Sequence, residues 1–510
     1  MKEIVVVLDF GSQYAQLIAR RIREMGVYCE IVRHDITEDE LSKLKPAAIV
    51  LSGGPSSVFE SGHPRMDRRL LKMGIPVLGI CYGMQLIAEI MGGTVEKGTE
   101  GEYGPARIEV EEPAGIFKDM PSGLDVWMSH GDHVTALPEG FRTVAGTPSC
   151  PIAAMASDSM YGIQFHPEVV HTPRGTDIIR NFLFTVAACS GEWTMGKFID
   201  EAVEAIRTTV GDHNVICGLS GGVDSSVAAA LIHRAIGDQM KAIFVDNGLL
   251  RKQEVEEIRR MFTHDYPINF RIVDAADLFL DELKGVIDPE AKRKIIGKTF
   301  IDVFYKAASD VQGAQFLAQG TLYPDIIESR SAFGGPSSTI KSHHNVGGLP
   351  EDLDFELLEP LKELFKDEVR LLGKELGLPS KLLVRQPFPG PGLAVRIIGE
   401  VTRDDLEILR EADLIVRQEI ERYDENREVW QFFAVLLPVK SVGVMGDERT
   451  YANVVAVRAV TSMDAMTADW ARIPYDVLGI MSSRIINEVK GVNRVVYDIS
   501  SKPPSTIEWE

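Results

Sequence analysis

The sequence has no long apolar run, and this absence narrows the class of protein. Its 510 residues contain no apolar stretch near the roughly 20 residues that a membrane-spanning helix needs. The first apolar run, Ile4–Leu8, has the length of a strand and is shorter than the roughly 7–15 residues of a signal-peptide core. We therefore expect a cytoplasmic protein with no membrane partner.

Cysteines are few and widely spaced, and no two of them have the C-x-x-C spacing. This pattern argues against a disulfide framework and against a structural zinc site, and reduced thiols fit the cytoplasm. Four of the five are interpreted as small buried apolar residues: Cys29, Cys150, Cys189 and Cys217. Cys81 is the exception that is argued below.

Positive charge is also in short supply. The chain has 54 Lys and Arg against 75 Asp and Glu, a formal net charge of −21. This balance opposes nonspecific attraction to nucleic acid, so no nucleic-acid partner is expected. The length allows about three domains of ordinary size.

The stretch Val215–Ala230 predicts an anion-binding turn. Val215–Leu219 is typical of a short buried strand, Ser220–Gly222 of a tight turn, and the residues from Asp224 onward of an alanine-rich helix. The glycines let the backbone approach a ligand, and the helix start offers free N–H groups. Phosphate is the expected ligand, although a glycine turn that merely caps a helix would give a similar pattern.

No lysine follows these glycines, so the turn is not a Walker loop. Asp224 stands there instead, and a carboxylate among phosphates implies a bridging divalent cation, for which Mg²⁺ is expected. The stretch resembles the SGGxDS motif of the ATP pyrophosphatase (PP-loop) family, which cuts ATP between its α and β phosphates and transfers AMP to a carbonyl oxygen. The resemblance implies ATP binding by Ser220, Gly221, Gly222, Val223, Asp224, Ser225 and Ser226, and by Val245 at the end of the next strand.

Two further residues are assigned to the same crevice. Phe316–Gln319 is expected to be a strand that leads to Asp325, which would lie at the strand end and hold Mg²⁺ together with Asp224. Lys341 lies in the irregular, glycine-rich stretch Gly334–Gly348, which is interpreted as a lid over ATP. Lys341 is therefore a candidate for neutralising phosphate charge.

The amino-terminal region alternates strands and helices, which indicates a doubly wound parallel sheet. The expected strands are Ile4–Leu8, Tyr28–Val32, Ala48–Leu51 and Val77–Ile80. Cys81 follows the last of them at a strand-to-helix turn flanked by glycines. Such an elbow exposes a nucleophile at the edge of the sheet.

A base for this thiol is expected in the stretch Gly162–Glu168. His166 follows a strand-like segment, and Glu168 can hold the imidazole in one tautomer. The strings GICYGMQ and QFHPE together resemble the class I glutamine amidotransferases. By matching positions, Cys81 is the nucleophile, His166 the general base and acid, and Glu168 the orienting carboxylate.

The same resemblance implies roles around the thiol. Gly53, Gly54 and the N–H of Tyr82 match the oxyanion hole, and Gln85 matches a glutamine-binding position. Ser129–Asp132 matches a second family motif near the substrate, and the alternative is a hairpin turn before Val134. His130 is given no catalytic part.

These patterns predict three domains: an amidotransferase at residues 1–189, a pyrophosphatase at 190–385, and an α+β module at 386–510. The first two are expected to be doubly wound parallel sheets. Outside the two predicted turns, the expected helices are Asp177–Ala187, Met195–Val210 and Arg403–Tyr423, and the expected carboxyl-terminal strands include Gln431–Leu437 and Ser441–Met445. The run Arg385–Gly392 marks the last boundary because its prolines and glycines interrupt regular structure. The basic cluster Lys292–Lys294 is either a solvated helix face or a phosphate contact.

Over nearly the whole chain, the strings QGTLYPD, IKSHHNVGG, RQPFPGPGLAVR, SVGVMGDERTY and KPPSTIEWE resemble the glutamine-hydrolysing GMP synthase family. The resemblance implies glutamine, ATP and XMP as substrates, and a homodimer formed through the third domain. The implied XMP contacts are Arg293, Asp447, Lys502, Ile507 and Glu508.

Two alternatives stay open at this point. One is an enzyme with the same two sites and another acceptor, such as a deamido-dinucleotide or a tRNA base. The other is a nucleotide-binding scaffold whose amidotransferase domain is inert.

Overall fold

The computed structural model describes residues 3–331, 355–424, 428–445, 448–462 and 467–510. They form two compact units, the first containing the described residues up to Phe198 together with 326–331, and the second those of 199–325 and 355–510. The three-domain boundaries expected from the sequence stay predictions.

The first unit is built on one nine-stranded sheet with the order β2-β1-β3-β4-β9-β8-β7-β5-β6. Its strands are β1 (Val5–Asp9), β2 (Cys29–Arg33), β3 (Ala48–Leu51), β4 (Val77–Ile80), β5 (Thr94–Val110), β6 (Gly123–Ala136), β7 (Arg142–Gly146), β8 (Ala154–Ala156) and β9 (Met160–Ile163). Its helices are α1 (Ala15–Glu24), α2 (Glu38–Leu44), α3 (Tyr82–Met91) and α4 (Gly175–Asn181), and α5 (Met195–Val210) contains the boundary with the second unit.

The sheet has a parallel half and an antiparallel half. Strands β2, β1, β3, β4 and β9 pair in parallel, and β8, β7, β5 and β6 continue the sheet with antiparallel pairs. The parallel strands are apolar runs because helices cover them; β3 and β4 are buried throughout. Strand β6 instead alternates between buried and more exposed positions, as expected for a strand with one solvent-facing side.

The second unit contains two sheets. Its strands are β10 (Asn214–Leu219), β11 (Met240–Asp246), β12 (Phe270–Asp274), β13 (Ala314–Ala318), β14 (Glu356–Leu358), β15 (Gln431–Met445), β16 (Glu448–Thr461), β17 (Asp469–Trp470) and β18 (Val492–Asp498). The remaining helices are α6 (Val223–Ile236), α7 (Glu254–Arg260), α8 (Ala276–Glu282), α9 (Pro289–Ser309), α10 (Tyr323–Ser331), α11 (Lys366–Glu375), α12 (Ser380–Leu383), α13 (Arg403–Tyr423) and α14 (Tyr475–Glu488).

The five-stranded sheet, with the order β12-β11-β10-β13-β14, is parallel throughout. The chain leaves β10 toward β11 and later returns to its other side with β13, so the strand order reverses between β10 and β13. Ligands of such sheets bind in the crevice at the strand carboxyl ends where this reversal occurs. The four-stranded sheet is a long β15–β16 hairpin with β17 antiparallel and β18 parallel to β16.

The two sheets of the second unit share one hydrophobic core. Ile216, Ile243 and Leu317 of the parallel sheet belong to the same cluster of buried side chains as residues of the carboxyl-terminal elements. Those residues include Leu409 and Val416 of α13 and Val455 and Val457 of β16. The cluster therefore runs without interruption through the region where the sequence predicts a domain boundary.

The predicted fold class is confirmed, with two corrections of detail. The segments Gln431–Leu437 and Ser441–Met445 were expected as separate strands, but they are one strand, β15, because a register shift between Leu437 and Lys440 absorbs the break in its pairing. The segment Asp177–Ala187 was expected as one helix, but α4 ends at Asn181 and a π turn follows over Phe182–Val186.

None of the helices in the described ranges combines the length and the apolar character needed to cross a membrane.

Candidate active site

Cys81 lies at the turn between β4 and α3, in a backbone conformation that side chains other than glycine rarely adopt. Its φ is 50° and its ψ is −106°. The turn is closely packed: a Cβ at Gly79 would lie 2.7 Å from the backbone of Gly83, and one at Gly83 would lie 2.6 Å from Leu51. The glycines on either side of Cys81 therefore allow the strained elbow that the sequence predicts.

The structure brings Cys81, His166 and Glu168 together. His166 Nδ1 lies 2.8 Å from Glu168 Oε1, and both side chains are buried. The other side of the imidazole faces the thiol, since the side chain of His166 also makes a hydrogen bond with Cys81. The arrangement allows the roles predicted from the sequence, which are nucleophile, base and orienting carboxylate.

The protonation of His166 follows from these contacts. Burial opposes the charged imidazolium, but the hydrogen bonds with Cys81 and Glu168 outweigh it and raise the pKa of His166 to about 10. The imidazole is therefore held in the charged form at neutral pH, ready to give a proton to a departing group.

Two contacts of the thiol were not found from the sequence. Gln164 Nε2 donates to Cys81 Sγ over 3.6 Å, and Cys81 Sγ donates to the Ser129 carbonyl oxygen, also over 3.6 Å. Gln164 lies within the QFHPE string, so its nearness to His166 was the available signal. For Ser129 the available signal was the family motif Ser129–Asp132 near the substrate, although nothing in the sequence pairs its strand with Cys81.

The predicted oxyanion and glutamine-binding residues surround a cavity of about 450 Å³. Gly54, Tyr82 and Gln85 line it together with Cys81 and His166. Gly53 lies beside the reacting groups, because a Cβ on it would come within 3.2 Å of His166 Cε1. Gln85 Nε2 donates to the Asp132 carbonyl oxygen over 2.8 Å, which fixes its orientation in the cavity wall.

The second amidotransferase motif lies in the interior of β6, where Ser129, His130, Gly131 and Asp132 line the same cavity. The alternative interpretation as a hairpin turn is wrong, because these residues pair with β5 in the sheet. His130 Nε2 lies 3.1 Å from Glu102 Oε2, and burial lowers the pKa of this histidine despite the nearby carboxylate.

The second predicted site is the turn between β10 and α6. Gly221 has a φ of 77°, and Ser220, Ser225 and Ser226 bond within the turn. The hydroxyl groups of Ser220 and Ser225 are 3.1 Å apart, and Ser226 Oγ donates to the Gly222 carbonyl oxygen over 2.8 Å. The amides of the helix start are thereby left at the open end of the sheet, where they favour an anion.

A cavity of about 350 Å³ opens at the strand reversal beside this turn. Ser220, Asp224 and Ser225 line it from the β10 side, and Gln319, Gly320 and Thr321 line it from the β13 side. Asp325, in the first turn of α10, also lines it, so the two carboxylates assigned to the metal face one cavity. Val245 is buried in β11, and Val223 begins α6.

Two cations near the turn were missed in the sequence. Lys366 Nζ donates to both carboxylate oxygens of Asp224, and Arg385 Nη1 donates to the Gly221 carbonyl oxygen over 3.0 Å. Arg385 also pairs with Glu254 and Glu257 of α7. Both cations are more than 130 residues from the turn in sequence, so no local pattern indicates them. Lys341 lies outside the described residues.

The residues assigned to XMP lie around the carboxyl-terminal tail, except Asp447, which lies outside the described residues. Glu508 receives two hydrogen bonds from the fully buried Arg396, at 3.0 and 2.8 Å. Ile507 is buried, Lys502 pairs with Ala468 through the backbone, and Arg293 Nη2 donates to the Glu510 carbonyl oxygen over 2.6 Å. The structure thus brings Arg293 to the tail that carries the other three.

The interpretation of Lys292–Lys294 as a solvated face is wrong for Lys292. This side chain is fully buried, and its ammonium group donates to the carbonyl oxygens of Ala394 and Ile397 at 3.2 and 2.7 Å and to Glu510 Oε2 at 2.5 Å. A buried charge is stable only with such partners. Lys292 therefore anchors the end of the chain.

Comparisons with known proteins show which families the chain resembles. Family models match as glutamine amidotransferase class-I over residues 6–186, NAD synthase over 195–293 and GMP synthase C terminal domain over 418–509. The elbow thiol in one unit and the anion-binding turn in the other thus define a glutamine-dependent ligase, in which a class I amidotransferase is fused to a PP-loop nucleotide-binding domain.

Relatives that match over the whole chain identify the family. The chain is 58% identical over 510 residues to GMP synthase (glutamine-hydrolyzing) of Maridesulfovibrio salexigens, with 99% of each chain covered. It is 57% identical over 512 residues to the enzyme of that name from Bacillus subtilis (strain 168), which covers 100% of this chain and 99% of the relative. The chain belongs to the family of glutamine-hydrolysing GMP synthases and is a carbon–nitrogen ligase with glutamine as its amide donor.

Among solved structures, a glutamine amidotransferase from Thermotoga maritima is similar to part of the chain. It is 20% identical with a TM-score of 0.32, and the match covers 37% of this chain and 99% of that one.

Proposed function

We propose that this enzyme aminates XMP to GMP in the cytoplasm, using glutamine as the nitrogen source and converting ATP to AMP and pyrophosphate. The observation that carries the proposal is the presence of two different sites in one chain. One has the groups that release ammonia from an amide, and the other has an anion-binding turn with no Walker lysine. Ammonia released at the first site needs an activated acceptor, and the activation proposed for the second site needs a nitrogen source.

In the amidotransferase site, His166 holds the proton of Cys81 as the charged imidazolium, and the Cys81 sulfur attacks the side-chain amide carbon of glutamine. The resulting oxyanion lies against backbone amides of the Gly53–Gly54 loop and of Tyr82. His166 then protonates the leaving nitrogen, so that ammonia departs and a glutamyl thioester remains. Water hydrolyses the thioester to glutamate and restores the thiol, with Glu168 orienting the imidazole throughout.

In the synthetase site, the XMP oxygen at carbon 2 attacks the α-phosphorus of ATP and pyrophosphate departs. The Ser220–Ser226 turn holds the departing pyrophosphate through its backbone amides and hydroxyl groups. Ammonia then attacks carbon 2 of the adenylyl-XMP intermediate and AMP leaves with the oxygen. In this scheme ammonia passes from the Cys81 site to the synthetase site without dilution in solvent.

The donors at this cavity fit Mg²⁺. Asp224 and Asp325 offer carboxylate oxygens in one cavity, and hard oxygen ligands are those that Mg²⁺ prefers. When bound, the ion would offset the charge of the phosphates. Lys366 supplies a second positive group at the same carboxylate, and Lys341 is proposed as a third.

XMP is proposed to bind near the carboxyl-terminal tail, through Arg293, Asp447, Lys502, Ile507 and Glu508, and a homodimer is proposed through residues 386–510. The proposed position of XMP is supported by the hydrogen bonds that hold the carboxyl-terminal residues in place. Arg458, fully buried, donates to the carbonyl oxygens of Ser500, Thr506 and Ile507.

Product analysis tests the proposal directly. The enzyme is incubated with XMP, ATP, Mg²⁺ and glutamine labelled with ¹⁵N at the amide, and the products are measured by mass spectrometry. The expected products are singly labelled GMP, AMP, pyrophosphate and glutamate in equal amounts. Formation of ADP and orthophosphate, or unlabelled GMP, would contradict it. Parallel reactions with a deamido-dinucleotide or tRNA in place of XMP should release no pyrophosphate.

A further inference from the structure

A second cluster of potential ligands lies in the antiparallel half of the first sheet. Glu102 of β5 and His130 of β6 are directly opposite each other, so their side chains lie on one face of the hairpin. The pairing depends on an irregularity, since the register shifts between Lys97 and Glu102. Such irregularities in strand pairing change the direction in which side chains point, and this one brings the Glu102 carboxylate to the His130 imidazole.

Cys150 completes the cluster from the connection between β7 and β8. A tight turn fixes its backbone, because its N–H donates to Thr147 Oγ1 over 2.8 Å and its carbonyl accepts from the Thr147 N–H over 2.9 Å. One oxygen of Glu102, one nitrogen of His130 and the sulfur of Cys150 all lie within 4.8 Å of one another. Both His130 and Cys150 are buried.

The hydrogen bonds of His130 contain a conflict. Nδ1 lies 3.2 Å from the Asp132 carbonyl oxygen, and Nε2 lies 3.1 Å from the Glu102 carboxylate. Both partners are hydrogen-bond acceptors, but a neutral imidazole has only one N–H to donate. If Nδ1 donates to the carbonyl, the Nε2 lone pair faces an anionic oxygen. A metal ion between Nε2 and the carboxylate removes the conflict, and an imidazole that donates its other N–H to a carbonyl is the usual form of a metal-bound histidine.

We propose that Glu102, His130 and Cys150 form a Zn²⁺ site in the amidotransferase unit, distinct from the proposed magnesium site. The mixed oxygen, nitrogen and sulfur donors suit zinc, and three protein ligands leave a fourth position for water. Tetrahedral zinc with bonds of about 2.0–2.3 Å needs ligand atoms roughly 3.3–3.8 Å apart. The pair of His130 Nε2 and Glu102 Oε2, at 3.1 Å, must widen slightly, and the other pairs, which lie within 4.8 Å, must close by roughly 1 Å at most. Binding replaces the thiol proton of Cys150 with the metal and releases one proton for each ion.

The position of this site gives it a function. His130 lines the cavity that contains Cys81, and the neighbouring Ser129 carbonyl oxygen accepts a hydrogen bond from the Cys81 thiol. A metal that holds His130 also holds this strand against the nucleophile. Zinc at this site therefore changes the rate of glutamine hydrolysis without touching the reacting thiol.

The catalytic thiol and His166 can themselves trap zinc, so the test uses full-length Cys81→Ala protein. Co²⁺ titration is followed by absorbance, because a thiolate bound to cobalt gives an intense near-ultraviolet charge-transfer band. The expected result is one band that saturates at one ion per chain and that Zn²⁺ abolishes. Adding Cys150→Ser should remove the band, whereas the matched control Cys189→Ser, at another buried cysteine, should retain it.

Two further variants keep the test valid if Cys150→Ser does not fold. Glu102→Gln and His130→Gln retain the thiol, and each should weaken Zn²⁺ binding measured by calorimetry by more than the roughly 10–100-fold typical of changes in the second ligand shell. The proposal fails if Cys81→Ala protein gives no thiolate band. It also fails if the band persists in Cys81→Ala/Cys150→Ser protein, or if neither Glu102→Gln nor His130→Gln alters the affinity.

Discussion

Lys366 Nζ donates to both carboxylate oxygens of Asp224, at 2.6 and 2.5 Å, across 142 residues of sequence. The contact neutralises the carboxylate that we assign to Mg²⁺. Lys366 begins α11, and Asp224, which lines the cavity, lies in the first turn of α6, so each of the two side chains is positioned by the start of a helix. If ATP and Mg²⁺ bind here as we propose, this ammonium group is already within reach of the new negative charge.

Lys366→Met should lower the rate of GMP formation with added ammonia by about 100-fold and should raise the KM for ATP, because one charge that stabilises the departing pyrophosphate is removed. Steady-state kinetics with ammonia as the nitrogen source give the measurement. Lys374→Met, at an exposed position of the same helix, is the control and should leave both constants unchanged. Equal effects of the two variants would assign the loss to helix stability.

Asp224→Ala should stop GMP formation with both glutamine and ammonia while leaving some hydrolysis of glutamine, since the thiol site lies in the other unit. Asp224→Asn should behave similarly because the amide keeps the shape and loses the charge. Pyrophosphate release and glutamate formation are measured in parallel. Normal synthesis from ammonia in either variant would remove Asp224 from the metal site.

Cys81→Ala should abolish the reaction with glutamine, whereas added ammonia should still support GMP formation. The physical reason is that the variant lacks only the nucleophile for the amide, and the nucleotide site is untouched. Rates with the two nitrogen sources are compared. Cys217→Ala, in the second unit, is the control for the general effect of removing a thiol. Loss of both activities in folded Cys81→Ala protein would disprove the separation of roles.

Glu168→Gln should destabilise the protein in a pH-dependent way. The pKa of His166 is raised from its usual 6.5 to about 10, because its hydrogen bonds with Cys81 and Glu168 outweigh the opposing effect of burial. A raised histidine pKa gives stability that is fully present below about pH 6.5 and is lost as the pH rises through about 10. The difference in melting temperature from the unsubstituted protein should therefore be largest near pH 6 and shrink toward pH 10.

The control for this measurement is Glu109→Gln, at an exposed position of β5. It should show no comparable dependence on pH. A difference between Glu168→Gln and unsubstituted protein that stays constant from pH 6 to 10 would show that Glu168 does not act on the charge of His166.

Gly83→Ala should destabilise the first unit by about 1–3 kcal/mol, although alanine is the better helix former, because its Cβ would lie 2.6 Å from Leu51. Gly196→Ala is the matched control, since that glycine also lies in a helix and a Cβ there meets nothing within 4 Å. The control should be neutral or stabilising by up to about 1 kcal/mol. Urea unfolding curves separate the two; equal effects would mean that the elbow relaxes freely.

Local patterns were enough to predict the turns at Cys81 and at Ser220 and most of the elements around them. The predicted bounds of three elements agree with those in the structure: Val77–Ile80, Met195–Val210 and Arg403–Tyr423. Each is an apolar or amphipathic run with clear ends. The turns at Cys81 and Ser220 were predictable because strand, glycine and helix follow one another without interruption. The signal was complete within about fifteen residues.

Features that depend on distant partners could not be read from the sequence. Lys292 lies in a basic cluster, but its partners Ala394 and Ile397 come about a hundred residues later. The β5–β6 hairpin was missed because the irregularity between Lys97 and Glu102 breaks the alternation by which a strand is recognised. The same break hid the approach of Glu102 to His130.

The uninterrupted core of the second unit has a consequence for protein engineering. Ile216 of the five-stranded sheet and Val457 of the last hairpin belong to one buried cluster. Separating the chain near residue 385 would therefore expose a large hydrophobic surface on each fragment. A chimaera with a new acceptor specificity must therefore take the core residues before and after residue 385 from the same parent protein.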